Sequence, residues 1–136
     1  YHNCISDFKL TIMNKDQFIG LIRLSKKVFN TQQEALGNGQ GYLGMLAHTA
    51  AITVKLDIQL KAVPKNCEVY YDWMPKMLWY LREWRREQNM YKEHVVESRL
   101  HAARAMETKL EQAYQMINKF YPEVLSNPTN VQTSLL

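Results

Sequence analysis

Apolar and polar residues follow two different periods along this chain, and the change from one to the other predicts its elements. In "ITVKLDIQLKAV", residues 52–63, Ile52, Val54, Leu56, Ile58, Leu60 and Ala62 alternate with Thr53, Lys55, Asp57, Gln59 and Lys61. Alternation of this kind is the two-residue period of a half-buried strand. A helix over the same residues would align Ile52, Leu56, Leu60 and Val63. It would also turn Val54, Ile58 and Ala62 to the opposite face, forgoing burial worth about 25 cal/mol per Å². The spacing therefore predicts a strand over 52–63. Shorter alternations occur at 7–13 (Phe8, Leu10, Ile12) and 67–73 (Cys67, Val69, Tyr71, Trp73), and "PKN" at 64–66 supplies turn chemistry for a hairpin between the last two runs.

The other period is helical. Asn14 followed by Gln17 is a capping-box pair, and Phe18, Leu21, Ile22, Ser25, Val28 and Phe29 then recur at three- and four-residue spacing. This predicts a helix over 15–36, stopped by the glycine cluster "GNGQG" at 37–41, with a short helix over 42–50 after it. Asp72 and Pro75 suit the start of another helix. From Lys76 to Tyr121 there is neither glycine nor proline, and the stripe Met77, Leu81, Trp84, Gln88, Tyr91, Val95, Ser98, Ala102, Met106, Lys109, Ala113, Ile117, Phe120 keeps close to a 3.6-residue period. One helix of that length would run about 65–70 Å at 1.5 Å per residue, longer than a domain of this size is wide. Either it breaks between Gln88 and Ser98, where the stripe is weakest, or it projects and meets a partner. The favoured expectation is the long helix.

These elements predict an α+β fold: a small three-stranded, mostly antiparallel sheet (7–13, 52–63, 67–73), an N-terminal helix and a long C-terminal helix. An all-α helical bundle is the alternative. Residues 1–121 would form a single domain, and 122–136, with prolines and little periodicity, a loosely ordered C-terminal tail.

Composition changes this picture little. The 136 residues hold 17 Lys/Arg and 13 Asp/Glu, a net charge of +4, which permits anionic partners without requiring one. Cys4 and Cys67 lack the density of a disulfide scaffold and the spacing of a metal site, so reduced cysteines are expected. No run of about 18 apolar residues occurs, and a soluble, intracellular, cytoplasmic protein that does not enter a membrane is expected. The chain opens on Tyr1 rather than Met, as a fragment or processed product would.

Candidate chemistry is sparse. Gly39, Gly41 and Gly44 match G-x-G-x-x-G, but they follow a predicted helix rather than a strand, which is the wrong context for a dinucleotide site. Glu83, Glu87, His94, Glu97 and His101 fall in one sector of the predicted helix without matching ligands from a second one. No catalytic constellation, metal or cofactor is expected. The basic residues are better organised: Arg85, Lys92 and Arg99 recur every seven residues beside Arg82 and Arg86, a ridge able to follow a phosphate backbone, though interleaved with Glu83, Glu87, Glu93 and Glu97. Trp79 stands apart from the apolar stripe near Arg82 and Arg86. It is either an interface anchor, since Trp and Arg dominate binding hot spots, or is packed beneath the hairpin or the short helix.

The sequence thus points to a non-enzymatic interaction or assembly subunit that oligomerises or docks on a protein partner through its long C-terminal helix, with Trp79, Arg82 and Arg86 in contact. The alternative is an RNA- or DNA-binding accessory protein using Arg82, Arg85, Arg86, Lys92 and Arg99.

Overall fold

The computed structural model describes residues 13–126, and the regular structure there is helix; no strand occurs among the described residues. Helix α1 (Lys15–Gly37) begins as its capping pair dictates. Asn14 Oδ1 accepts from the Gln17 amide at 2.7 Å, and Gln17 Oε1 accepts from the Asn14 amide at 2.9 Å. The six residues spaced along its predicted stripe, Phe18 to Phe29, are all buried. Gly39, at φ 93°, supplies the left-handed residue that turns the chain, a conformation that costs other residues a steric penalty. Helix α2 (Tyr42–His48) and helix α3 (Ala50–Ala62) follow.

Helix α3 overturns the sheet. The residues predicted as the central strand bury Thr53, Leu56 and Leu60 along one side and leave Val54 and Ile58 in solvent, 54% and 62% exposed. Two of the three buried positions carry Leu, unbranched at Cβ, and the Ala, Lys and Gln around them are good helix formers; these and the burial of one side outweigh the β-branched Ile52, Thr53, Val54 and Ile58. The second expected strand, 67–73, contains no ladder and runs as turns that bring Tyr71 into the core and stack it on Trp73, with ring centroids 4.8 Å apart. The third, 7–13, lies outside the described residues except for Met13. The fold is the all-α bundle, and the α+β expectation is incorrect.

The long C-terminal helix is also two helices, α4 (Met74–Glu93) and α5 (Glu97–Phe120), parted at His94, Val95 and Val96. Pro75 sits in the first turn of α4, where its missing amide proton costs least, and Asp72 forms no cap. The break needs no glycine or proline. His94 and Val96 adopt extended backbone, which β-branched residues favour, and folding back buries one apolar stripe on the other instead of leaving both bare. Beyond the break the stripe holds at Met106 and Ile117, both buried, while Ala103, Leu110 and Tyr114 are buried in place of Ala102, Lys109 and Ala113, one residue forward, and Phe120 stays in solvent.

Cross-helix contacts define the topology. Trp84 meets Glu107 while Arg99 approaches Met90, so α5 runs antiparallel to α4. Phe18 packs on Trp73 and Phe29 on Trp84, placing α4 parallel to α1, while Ser25 bonded to Tyr114 and Gln33 to Glu107 place α5 antiparallel to it. With α3 returning between α1 and α4, the long helices form an up-down-up-down four-helix bundle. A short final helix, α6 (Pro122–Leu125), lies within the expected tail; its Val124 is fully buried. Arg23 of α1 clasps it by donating to the backbone carbonyls of Glu123, Val124 and Ser126.

Candidate functional site

Two apolar clusters fill the bundle, and a layer of polar side chains separates them. The larger cluster includes Phe18, Leu21, Leu56, Leu81, Trp84, Leu110 and Tyr114; the smaller joins Ala35, Tyr42, Met45, Leu46, Tyr91 and Ala103. Between them lies Glu107, only 5% exposed. Its carboxylate accepts from the Tyr42 hydroxyl, from Gln33 Nε2 at 3.0 Å, from Trp84 Nε1 at 3.4 Å and from Gln88 Nε2 at 3.5 Å, and it pairs with Arg104 at 3.1 Å. Gln88 Nε2 also donates to Gln32 at 2.7 Å and to the Tyr42 hydroxyl at 2.9 Å, and Gln88 Oε1 accepts from Arg85 Nη1. Arg85 closes the chain with a two-pronged pair to Asp57, at 2.9 and 3.1 Å. Burial, then the Glu107 charge, raises the Tyr42 phenol well above its ordinary value. The layer therefore holds Tyr42 neutral and Glu107 fully partnered, and the grooves described below do not reach it. It offers no free nucleophile. Such a satisfied network fixes how helices pair and register.

The exposed chemistry lies on α3 and α4. A groove of about 490 Å³ runs between the end of α3, the connection to α4, and α4 itself. Leu60, Val63, Met74 and Leu78 form its apolar part, and Lys61, Lys65 and Arg82 stand around it; among the described residues no carboxylate lines it. Val54, Ile58 and Lys61 follow one another at helical spacing, so the bare apolar strip of α3 leads to this groove. Val69, 56% exposed, lines the groove from the connecting segment. Across α4, counting about 100° per residue, Trp79 lies on a crest between this groove and a second one bounded by Trp73, Lys76 and Tyr80. Trp79 is 52% exposed and touches Tyr80, with ring centroids 5.8 Å apart.

The predicted partner-binding residues thus divide. Trp79 and Arg82 are exposed on the crest and the groove wall. Arg86 is exposed but held within its own helix by Glu83 at 2.7 Å and Glu87 at 3.1 Å, and its guanidinium is accordingly even harder to deprotonate than usual. The residues of the basic ridge are separated. Arg85 is buried on Asp57, and Arg99 sits across the break on α5, half-buried near Met90; Arg82 and Lys92 remain exposed on α4. His101 Nε2 lies 3.4 Å from Glu97 Oε1 on an open surface, and no group of three metal-ligating side chains occurs among the described residues. The glycine motif connects two helices, as its context predicted. Sequence reasoning missed the Glu107 layer, although two signals of buried polarity, Ser25 and Gln88, were present on the apolar stripes.

Among the described residues no helix is long and apolar enough to cross a membrane. Compared with known proteins, the chain matches no family model, no curated sequence and no solved structure.

Proposed function

We propose that this protein is a non-enzymatic interaction module that receives an acidic, amphipathic segment of a partner protein on its α3–α4 face, inside the cell. One observation carries the reading: among the described residues the groove's charged lining is entirely cationic, exposed Val69 lines it, and Val54, Ile58 and Trp79 are exposed on the two helices that flank it. Contiguous apolar surface rimmed by charge is the surface that binding covers, and a single sign of rim charge selects the opposite sign in the partner. An amphipathic helix would set its apolar face along Val54, Ile58 and Leu78, with carboxylates toward Lys61, Lys65 and Arg82 and Trp79 as the anchor. Of the two C-terminal helices, α4 contributes to this docking and α5 does not. Nucleic acid is the weaker reading because Arg85 and Arg86 already hold carboxylates.

A displayed library of random 20-residue peptides sorted against the purified protein tests the proposal. Enriched sequences should be acidic, with apolar residues at helical spacing. They should bind Trp79→Ala about 30-fold more weakly, as for a hot-spot residue worth about 2 kcal/mol, and Arg82→Glu at least about tenfold more weakly. Peptides that bind both variants as well as the parent, or a library without enrichment, would refute it. A solution mass above one protomer that reverts in Ile58→Lys would make a second copy of the chain the occupant.

A further inference from the structure

The chain enters the bundle beside the α3–α4 groove. Met13 packs against the large apolar cluster together with Cys67 and Tyr70, and its carbonyl accepts from the Tyr70 hydroxyl. Tyr70 follows Val69, and Cys67 and Val69 both line the groove. The twelve residues ahead of Met13 are thus tied to the segment that forms one wall of the groove. At about 3.3 Å per residue they reach about 40 Å, whereas Val54 and Lys61 are only about 10 Å apart along α3, so the whole exposed strip is within their range.

Their sequence matches what the groove offers. In "SDFKLTI", residues 6–12, Phe8, Leu10 and Ile12 alternate with Asp7, Lys9 and Thr11, so an extended backbone would set three apolar side chains on one side. Leu60, Val63 and Leu78 give the groove an apolar floor to receive them. Asp7 is the one carboxylate among residues 1–12, and among the described residues the charged groups lining the groove are all cations.

We propose that residues 1–12 occupy the α3–α4 groove of their own chain, in competition with a partner. Phe8, Leu10 and Ile12 take the apolar floor, and Asp7 takes the rim at Lys61 and Lys65. A short tether holds a segment beside its site at an effective concentration on the order of millimolar, so a contact this small is enough to close the groove. The single carboxylate, offset by Lys9, suits the cationic rim less well than an acidic partner does, and that difference allows exchange. Displacement rests on the partner-binding reading of this face; occupancy by residues 1–12 does not.

A nitroxide attached to Cys4 in the Cys67→Ser protein reads occupancy as the loss of nearby amide signals. Signals of Lys61, Val69 and Arg82 at the groove should weaken, while those of Asn30 and Gln115, exposed between α1 and α5, keep their intensity. Phe8→Asp combined with Leu10→Asp should restore the groove signals. Excision of residues 1–12, with folding checked by thermal melt, should let the acidic peptides selected on this face bind about tenfold more tightly, as when the open groove is about a tenth of the population. The same peptides, added to the labelled chain, should also restore the groove signals. Signal loss that is absent, spread evenly over both sides of the bundle, or unaltered by the Phe8 and Leu10 pair would overturn occupancy. Localised loss that persists at saturating peptide would overturn the competition. Localised loss beside a library without enrichment would support occupancy and refute the partner reading alone.

Discussion

Glu107 gathers donors from α1, α2, α4 and α5, so its removal is felt by all of them. Replacing it with Leu leaves the buried Tyr42 hydroxyl and the Trp84 and Gln88 donors without this acceptor, and frees the half-buried Gln33 amide. The expected cost is about 3 kcal/mol by urea denaturation, against no more than about 0.5 kcal/mol for Lys92→Ala on the open face of α4. Tyrosine titration gives an independent check. Burial raises the Tyr114 phenol above its ordinary value despite the Ser25 hydroxyl bonded to it at 2.7 Å, and raises Tyr42 likewise. A phenol whose folded-state pKa is raised stabilises the fold in its neutral form. That contribution is complete below the unfolded value near 10 and is lost as pH climbs from there toward the folded value, by up to about 1.4 kcal/mol per pH unit for each tyrosine. Tyr114→Phe should therefore be about 1 kcal/mol less stable than the parent at pH 8, for want of the Ser25 bond, and should lose that deficit, matching or slightly exceeding the parent, when denaturation is repeated at pH 11. The residues behind both predictions were only half legible beforehand. Ser25 and Gln88 stood on apolar stripes, where a polar residue signals a buried partner, but the partner is named by tertiary pairing across 56 to 89 positions of chain, which periodicity does not encode.

At the scale of elements, the two helix starts differ in a way that can be put to use. α1 carries its capping box, whereas α5 opens on Val96, in extended backbone with no side-chain cap. Val96→Asp places an acceptor where the first amides of α5 lack one, at the positive end of its dipole. It should add about 1 kcal/mol of stability, read as a rise of roughly 4 °C in melting temperature, while Asn14→Ala should remove a similar amount. The same contrast explains how much of the secondary structure could be read. α1 and α2 were found close to their true limits because capping residues and glycines punctuate them in the sequence. The α4–α5 break was not chosen because no such punctuation marks it; the stripe simply weakened near Gln88. α3 differs for another reason: alternation points to a strand only where every apolar side chain is buried, and Val54 and Ile58 are not.

For the whole molecule, the two sides of α3 separate stability from recognition. Leu56, fully buried in the bundle, should cost about 3 kcal/mol when cut to Ala. Ile58, two residues along the same helix, should accept Lys with a change within about 0.5 kcal/mol while losing the binding selected by the α3–α4 face. Paired urea titrations and peptide-binding measurements on the two variants check this division. One further consequence belongs to the Arg23 clasp. Arg23 ties α1 to backbone carbonyls about a hundred positions away, whereas Phe18 of the same helix already meets Tyr71 and Trp73. A chain cut back before Glu123 would therefore lose the clasp and the buried Val124 while keeping the aromatic contacts of α1.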